Sequence, residues 1–280
     1  MSGNLAVNSA PGIAQIAISD SEFEKFKKLI YELAGISLSD AKKSLVMSRL
    51  SKRLRHHHLA TFGDYYKMVT DHAHTGEQQM MVDLLTTNET YFFREPKHFE
   101  LLQDIVKKHE SWTSPYKVWS AAASSGEEAY TIAMTLDKML GEKPWEVQGT
   151  DISTRVLESA RNGVYTQQRT SKIPKEYLLK YCMKGVRSQE GLVMVDKALR
   201  RRVSFRHMNL LAEWTSVDMF DAIFLRNVMI YFDTETKQAL VKKIASHLKH
   251  GGYFFIGHSE SLNGIYTGFE SVMPSVFRKV

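Results

Sequence analysis

The stretch Trp119-Ser-Ala-Ala-Ala-Ser-Ser-Gly-Glu-Glu128 decides the fold, together with an acid 23 residues further on, Asp151. Gly126 and the small residues before it suit a tight strand-to-helix turn at which a ligand meets backbone. Between the two lie a helix-like and a short strand-like segment, the layout of a nucleoside-binding βαβ unit. A phosphate cradle would want more glycine and no acid at the helix N-terminus, where backbone N–H groups attract anions. Here Glu127 and Glu128 occupy that position. The turn therefore suits a ligand whose near end is cationic. S-adenosylmethionine, with its ammonium and sulfonium and no phosphate, is such a ligand, which points to methyl transfer.

From Tyr116 onward short apolar runs alternate with helical patterns. Lys117–Ala121, Val147–Thr150, Val203–His207, Ala222–Leu225 and Tyr253–Gly257 read as buried parallel strands. Helices are expected at about 127–140, 153–161 and 234–248, the last capped by Asp233 and closed by Gly251. This alternation predicts a doubly wound, Rossmann-like α/β sheet, with a terminal hairpin near Phe269–Ser271 and Val276–Lys279. Residues 173–200 break the pattern and read as a small β-insertion.

Upstream, residues 19–86 read as helices only, an all-α N-terminal domain. Ser19 or Asp20 caps the first helix, Gly35 interrupts it, and Asp40 caps a second helix reaching about His57. The first eighteen residues are small and uncharged, the composition of a mobile lead-in. Residues 87–98 form a connector, and 99–280 the α/β domain.

With 280 residues, 43% of them hydrophobic, the chain can bury a substantial core. No run is long enough for a membrane span, and the start lacks a signal-peptide layout. One cysteine, Cys182, makes no internal disulfide and no zinc cluster, which fits a reducing cytoplasm. The histidines are scattered, and His56-His57-His58 splay apart on a helix, so no metal is expected. The net charge of +6 allows an acidic partner. Residues 40–58 concentrate six Lys/Arg against the single acid Asp40. The face carrying Arg49 and Arg53 is the candidate docking surface, with a solvated helix face as the plain alternative.

The remaining chemistry sits at strand ends. Asp151 ends the second strand at the spacing of an acid on ribose hydroxyls, although a helix N-cap would also explain it. Asn209 and Leu210 follow the third strand, where an amide and an apolar surface could bracket an adenine. The fourth strand delivers Arg226, Asn227 and Tyr231 to the same edge. The connector Thr86-Thr-Asn-Glu-Thr-Tyr-Phe-Phe-Arg-Glu95 is rich in hydrogen-bonding and aromatic groups and offers Asn88, Thr90 and Arg94 to the pocket.

The strings TTNETYFFRE, VWSAAASSGEEAYTIA, GTDIS, FDAIFLRNVMIYFD and GHSES, in that order, resemble the bacterial chemotaxis receptor methyltransferases, the CheR family. The resemblance runs from about residue 20 to the C-terminus. It implies transfer of a methyl group from S-adenosylmethionine, leaving S-adenosylhomocysteine, to glutamate side chains on the cytoplasmic helices of chemoreceptors. It also implies a cofactor pocket lined by Asn88, Thr90, Arg94, Glu127 or Glu128 or both, Asp151, Asn209, Leu210, Arg226 and Asn227. Arg94 and Tyr231 match positions held close to the transferring methyl. Docking of the helical domain on acidic receptor helices, through a basic face such as that of Arg49 and Arg53, is implied as well. Some members grip a receptor's tethering peptide with the β-insertion. This chain carries Lys184-Gly-Val-Arg-Ser-Gln-Glu-Gly191 there, with Arg187 where a second glycine would be expected. A cytoplasmic monomer is the simplest expectation. Two other readings stay open: a non-catalytic nucleoside-binding signalling module, and a methyltransferase for nucleic acid or small molecules. The second lacks the aromatic–basic interleaving and the Asn/Asp-Pro-Pro-aromatic segment that it would need.

Overall fold

The structure, a computed structural model, describes residues 16–109, 114–214, 217–265 and 268–280. Most of the expected lead-in, residues 1–15, lies outside them. Ile18, also assigned to it, is buried with the first helices.

Four helices open the chain: α1 (Asp20–Ala34), α2 (Lys43–His56), α3 (Phe62–Thr70) and α4 (Thr75–Leu85). Ser19 caps α1 through a capping box with Glu22, satisfying donors at both ends of that turn. Asp40 does not cap a long second helix. It lies in a separate 3-10 turn, Asp40–Lys42, and its carboxylate accepts from Lys27 at 2.8 Å. Apolar residues at helical spacing, Phe23, Phe26 and Ile30 on α1 and Val46, Leu50 and Leu54 on α2, meet Phe62, Tyr65 and Val69 on α3. Fully burying each such side chain contributes roughly 1.5–3 kcal/mol.

The connector leads through α5 (Lys97–Lys107) into the sheet. Along the chain follow β1 (Tyr116–Ser120), α6 (Glu127–Leu140), β2 (Trp145–Asp151) and α7 (Thr154–Asn162). Then come β3 (Val164–Thr166), α8 (Gln167–Thr170), α9 (Lys175–Tyr181), β4 (Cys182–Lys184), β5 (Leu192–Val195) and α10 (Lys197–Arg200). The chain finishes with β6 (Val203–His207), β7 (Phe220–Leu225), α11 (Thr234–Ser246), β8 (Leu248–Ile256), β9 (Phe269–Met273) and β10 (Val276–Lys279).

The main sheet has the order β6-β2-β1-β7-β8-β10-β9. Its first five strands are parallel, and β10 runs antiparallel between β8 and β9. From β1 the chain winds outward to β2 and β6, then returns to β7 and winds the other way. The strand order therefore reverses between β1 and β7, and the crevice beyond their carboxyl ends is where such a sheet takes a ligand. Phe99, Phe224 and Phe255 stack beneath that edge, the last two with ring centroids 4.1 Å apart.

Two sequence expectations need correction. Gly251 does not close α11, which ends at Ser246. It lies inside β8, which begins five residues earlier than the apolar run suggested, beside a register shift against β7. The β-insertion starts before residue 173, because Val164–Thr166 pairs with β5 to make a three-stranded sheet, β3-β5-β4. Tyr177 and Tyr181 bury their rings from α9.

Candidate active site

A cavity of about 370 Å³ opens at the reversal point, within the range for a nucleoside-sized ligand. Asn88, Thr90, Arg94, Glu128, Asp151, Asn209, Leu210, Arg226, Asn227 and Tyr231 all line it. Ten side chains from five separated segments thus converge on one space.

The turn after β1 shapes its floor. Gly126 takes φ +96°, and a Cβ there would come within 2.9 Å of the Ala160 Cβ, so no other residue lets α6 start so close to α7. The two glutamates that follow part company. Glu127 is fully buried, pairs with Arg169 of α8 and accepts from the Ser125 hydroxyl at 2.9 Å. It does not line the cavity, which corrects the expectation that both acids could serve the ligand. Consecutive helical residues point about 100° apart, so one faces the ligand and the other the insertion. Burial pushes the Glu127 carboxyl up, and Arg169 opposes that shift.

Glu128 faces the cavity within a buried charge cluster. Its carboxylate accepts from the Ser120 hydroxyl at 2.7 Å and from Arg226 Nη1 at 2.9 Å. Arg226 Nη2 donates to Glu95 Oε2 at 2.9 Å and to the Arg94 carbonyl. The Arg226 side chain is 2% exposed, so this cation cannot rely on water and needs both carboxylates. Burial pushes the Glu128 carboxyl up against the pull of Arg226. Burial pushes Glu95 up as well, but the charge and hydrogen bond of Arg226 together with those of His258 hold it below the ordinary range. The acids of this cluster outnumber its one cation, and Glu128 is the one that faces the cavity, where a carboxylate favours a cationic ligand.

Sequence reasoning missed Glu95, the second carboxylate on Arg226, and missed its neighbours His98 and His258. Their nearest nitrogens lie 3.6 and 3.8 Å from Glu95 Oε2. Glu95 and His98 lie three residues apart, in the turn that leads into α5, but His258 lies too far along the chain for spacing to reveal. The cation held against Glu95 is already the Arg226 guanidinium. Burial and that same guanidinium push His98 down to about 3, so its ring is neutral.

Asp151 is buried at the end of β2. Its Oδ2 accepts from the Ser124 backbone N–H at 2.8 Å and its Oδ1 from that of Ser153 at 2.9 Å. Burial raises its pKa, and those two N–H groups oppose the rise. Each oxygen keeps a second lone-pair site, and the carboxylate is fixed in orientation. A vicinal diol is the natural complement. Asp151 does not cap α7 alone: Asp83 of α4, itself buried, accepts from Thr154 N and Thr154 Oγ1 at 3.1 and 2.9 Å.

The helical segment closes the cavity, with Ile36, Ser37, Leu38 and Leu45 on its wall. Asn209 Nδ2 donates to the Leu33 carbonyl at 2.7 Å and its Oδ1 accepts from Leu211 N, so this amide ties α1 to the segment after β6. Ser37 N donates to the Tyr231 carbonyl at 2.9 Å, and the Tyr31 hydroxyl to Asp233 at 2.6 Å. Nothing in the spacing of the sequence signals these contacts.

Across the cavity stand Arg94 and Tyr231. Arg94 is half-buried; its Nη1 donates to the Glu89 carbonyl at 3.1 Å, and its guanidinium carbon lies 5.8 Å from the Tyr91 ring centre. The Tyr231 hydroxyl makes no hydrogen bond among the described residues, so its donor is free for a ligand. A shallower hollow continues outward from Arg94 past Tyr91 to Arg169.

Arg49 and Arg53 lie away from the cavity and are not free cations. Arg49 Nη1 donates to the carbonyls of Leu84, Leu85 and Thr86 at 3.0–3.1 Å, satisfying the C-terminal end of α4. Arg53 grips Glu77 with two bonds, 2.8 and 2.6 Å. The exposed cations of α2 are Lys52 and Arg55. The basic stripe exists, but its two foremost members hold the bundle together.

Comparison with known proteins adds two family models and two relatives. A family model described as CheR methyltransferase, SAM binding domain, matches residues 88–277, and one described as CheR methyltransferase, all-alpha domain, matches residues 21–86. The chain is 44% identical over 258 residues to the chemotaxis protein methyltransferase of Escherichia coli strain K12, covering 91% of this chain and 89% of that one. It is 43% identical over 243 residues to chemotaxis protein methyltransferase 2 of Pseudomonas aeruginosa, 86% of each chain.

Proposed function

The chain belongs to the CheR methyltransferase family and is an S-adenosylmethionine-dependent methyltransferase of chemotaxis, and on that premise we propose that its acceptors are glutamate side chains on chemoreceptors. The observation that carries the proposal is the cavity's polarity. Acids (Glu128, Asp151) stand on the sheet side, and a half-buried arginine with a free phenol (Arg94, Tyr231) stands at the mouth.

The donor set fits the methyl donor: Asp151 offers oriented acceptors to a ribose, and Glu128 offers a carboxylate to its cationic end. Bound there, S-adenosylmethionine supplies an electrophilic methyl group. The acceptor oxygen forms the new O–CH3 bond while the S–CH3 electron pair returns to sulfur, giving an ester and a neutral thioether. A glutamate with a pKa near 4.3 is already ionised at neutral pH, so the site needs no general base. That agrees with the chemistry at the mouth, where Arg94 can steer a carboxylate and Tyr231 can donate to it. Anion and cation give two neutral products, so excluding water favours the reaction. The helical segment that covers the cavity contributes to that exclusion. Holding the two reactants in line is worth up to roughly 7–11 kcal/mol.

Docking on acidic receptor helices is assigned to the exposed cations of α2, Lys52 and Arg55, rather than to Arg49 and Arg53. The test is incubation of the protein with labelled S-adenosylmethionine and receptor-bearing membranes. Label in the receptor band supports the proposal, and label in nucleic acid or in no macromolecule overturns it.

A further inference from the structure

The turn that brings Asn227 and Tyr231 to the cavity has no strand partner of its own. β7 ends at Leu225, and the backbone then leaves the ladder, so the N–H groups that follow need acceptors from elsewhere. One side chain supplies them. Glu260, in the loop after β8, accepts from Asn227 N at 2.9 Å and Gly257 N at 2.6 Å with Oε2, and from Met229 N at 2.7 Å with Oε1. Its own N–H donates to the Gly257 carbonyl at 2.9 Å, which fixes the loop from which it reaches.

The clamped backbone is one that a chain avoids without support. Asn227 sits at φ +59°, in the left-handed region where a non-glycine residue is uncommon. Gly257 completes the seat, since a Cβ there would lie 2.4 Å from Asn227 Nδ2 and 2.9 Å from its backbone N. Glu260 does not line the cavity, and its three bonds go to N–H groups of the two turns, so it reaches any ligand only through them.

We infer that Glu260 is a positioning residue for methyl transfer, holding the Asn227–Tyr231 turn in the one arrangement that presents Tyr231 to the acceptor carboxylate. The inference rests on the reading of Tyr231 given above.

Its test uses the full chain with Glu260→Gln, Tyr231→Phe and the double variant. Gln keeps the length and one oxygen but turns an NH2 toward a backbone N–H, so it loses at least one of the three bonds without emptying the site. Amide exchange read by mass spectrometry should rise over residues 226–233 in Glu260→Gln and stay unchanged in α1–α4. Receptor methylation should fall roughly 10–100-fold, the scale on which a slightly misplaced group is felt. Placed on Tyr231→Phe, the same substitution should cost less than about threefold more, because both changes act through one side chain. Unchanged exchange in residues 226–233 overturns the inference, and so does an equal cost in both backgrounds. Full turnover in Tyr231→Phe alone instead removes Tyr231 from the mechanism, and the exchange result still decides whether Glu260 sets the turn.

Discussion

Replacing Arg53 with alanine separates an internal strut from a docking cation. In the structure Arg53 donates to both oxygens of Glu77, at 2.8 and 2.6 Å, and the Glu77 side chain is only 9% exposed. Deleting one partner of a fully buried pair costs about 3–5 kcal/mol, because the other charge is stranded. Here Glu77 keeps the Tyr65 hydroxyl at 2.8 Å and the His57 ring at 2.9 Å, and Arg53 is 20% exposed. A loss of about 2–3 kcal/mol is therefore expected. With a urea slope of about 1–3 kcal/mol/M, the midpoint for the helical segment should drop by about 0.7–3 M. The assay is urea unfolding followed by far-UV circular dichroism, with Lys52→Ala as the exposed control, expected within about 0.5 kcal/mol of the parent. Receptor methylation should respond the other way, with charge reversal at Lys52 and Arg55 lowering it and leaving the urea midpoint in place. An Arg53→Ala protein with the parent midpoint but no receptor methylation would refute the reasoning and return Arg53 to the docking surface.

Three further outcomes follow from the site and the bundle. Arg94→Ala should cut receptor methylation at least tenfold while S-adenosylhomocysteine affinity by calorimetry changes by less than about threefold, since the guanidinium serves the acceptor; equal losses in both would move Arg94 to the cofactor. Asp151→Asn should weaken S-adenosylmethionine and S-adenosylhomocysteine alike by about 10–100-fold, the scale of a hydrogen bond to a charged group, and unchanged affinity would remove the ribose assignment. Burial raises the Glu77 carboxyl, but bonds from Arg53, His57 and Tyr65 prevail and hold it at about 2 against an ordinary 4.5. A carboxyl depressed in the folded state stabilises it fully above the unfolded value, and this is lost as pH falls from about 4.5 toward 2. The shift corresponds to about 3 kcal/mol, so Glu77→Gln should flatten the stability–pH curve in that window; an unaltered curve would show that Glu77 does not set it.

The α/β half was legible because its signals are local. Apolar runs of strand length, the small-residue turn before Gly126, and acids at strand ends each fall within a few residues, and the sheet topology then gathers them at one crevice. Glu127 and Glu128 show where that reading stops. Both occupy the first turn of α6, and their partners, Arg169 for Glu127 and Arg226 for Glu128, lie 42 and 98 residues later. Arg49 and Arg53 show the same limit. Periodicity finds their face of α2, but the carbonyls at the end of α4 and the buried Glu77 that claim them belong to another helix. Glu95, Asp83 and Glu260 were invisible as site residues, because each acts on backbone or charge more than seventy positions away or across a loop. Helical coverage of the cavity, through Ser37 and Leu33, depends on how two segments pack, which no local pattern encodes.

The central claim is that a carboxylate oxygen receives the methyl group. Receptor labelled by this protein with radiolabelled S-adenosylmethionine should release volatile radiolabelled methanol under mild base, the behaviour of a glutamate methyl ester. Label that survives base in the protein, as an N-methyl or S-methyl group would, contradicts the account.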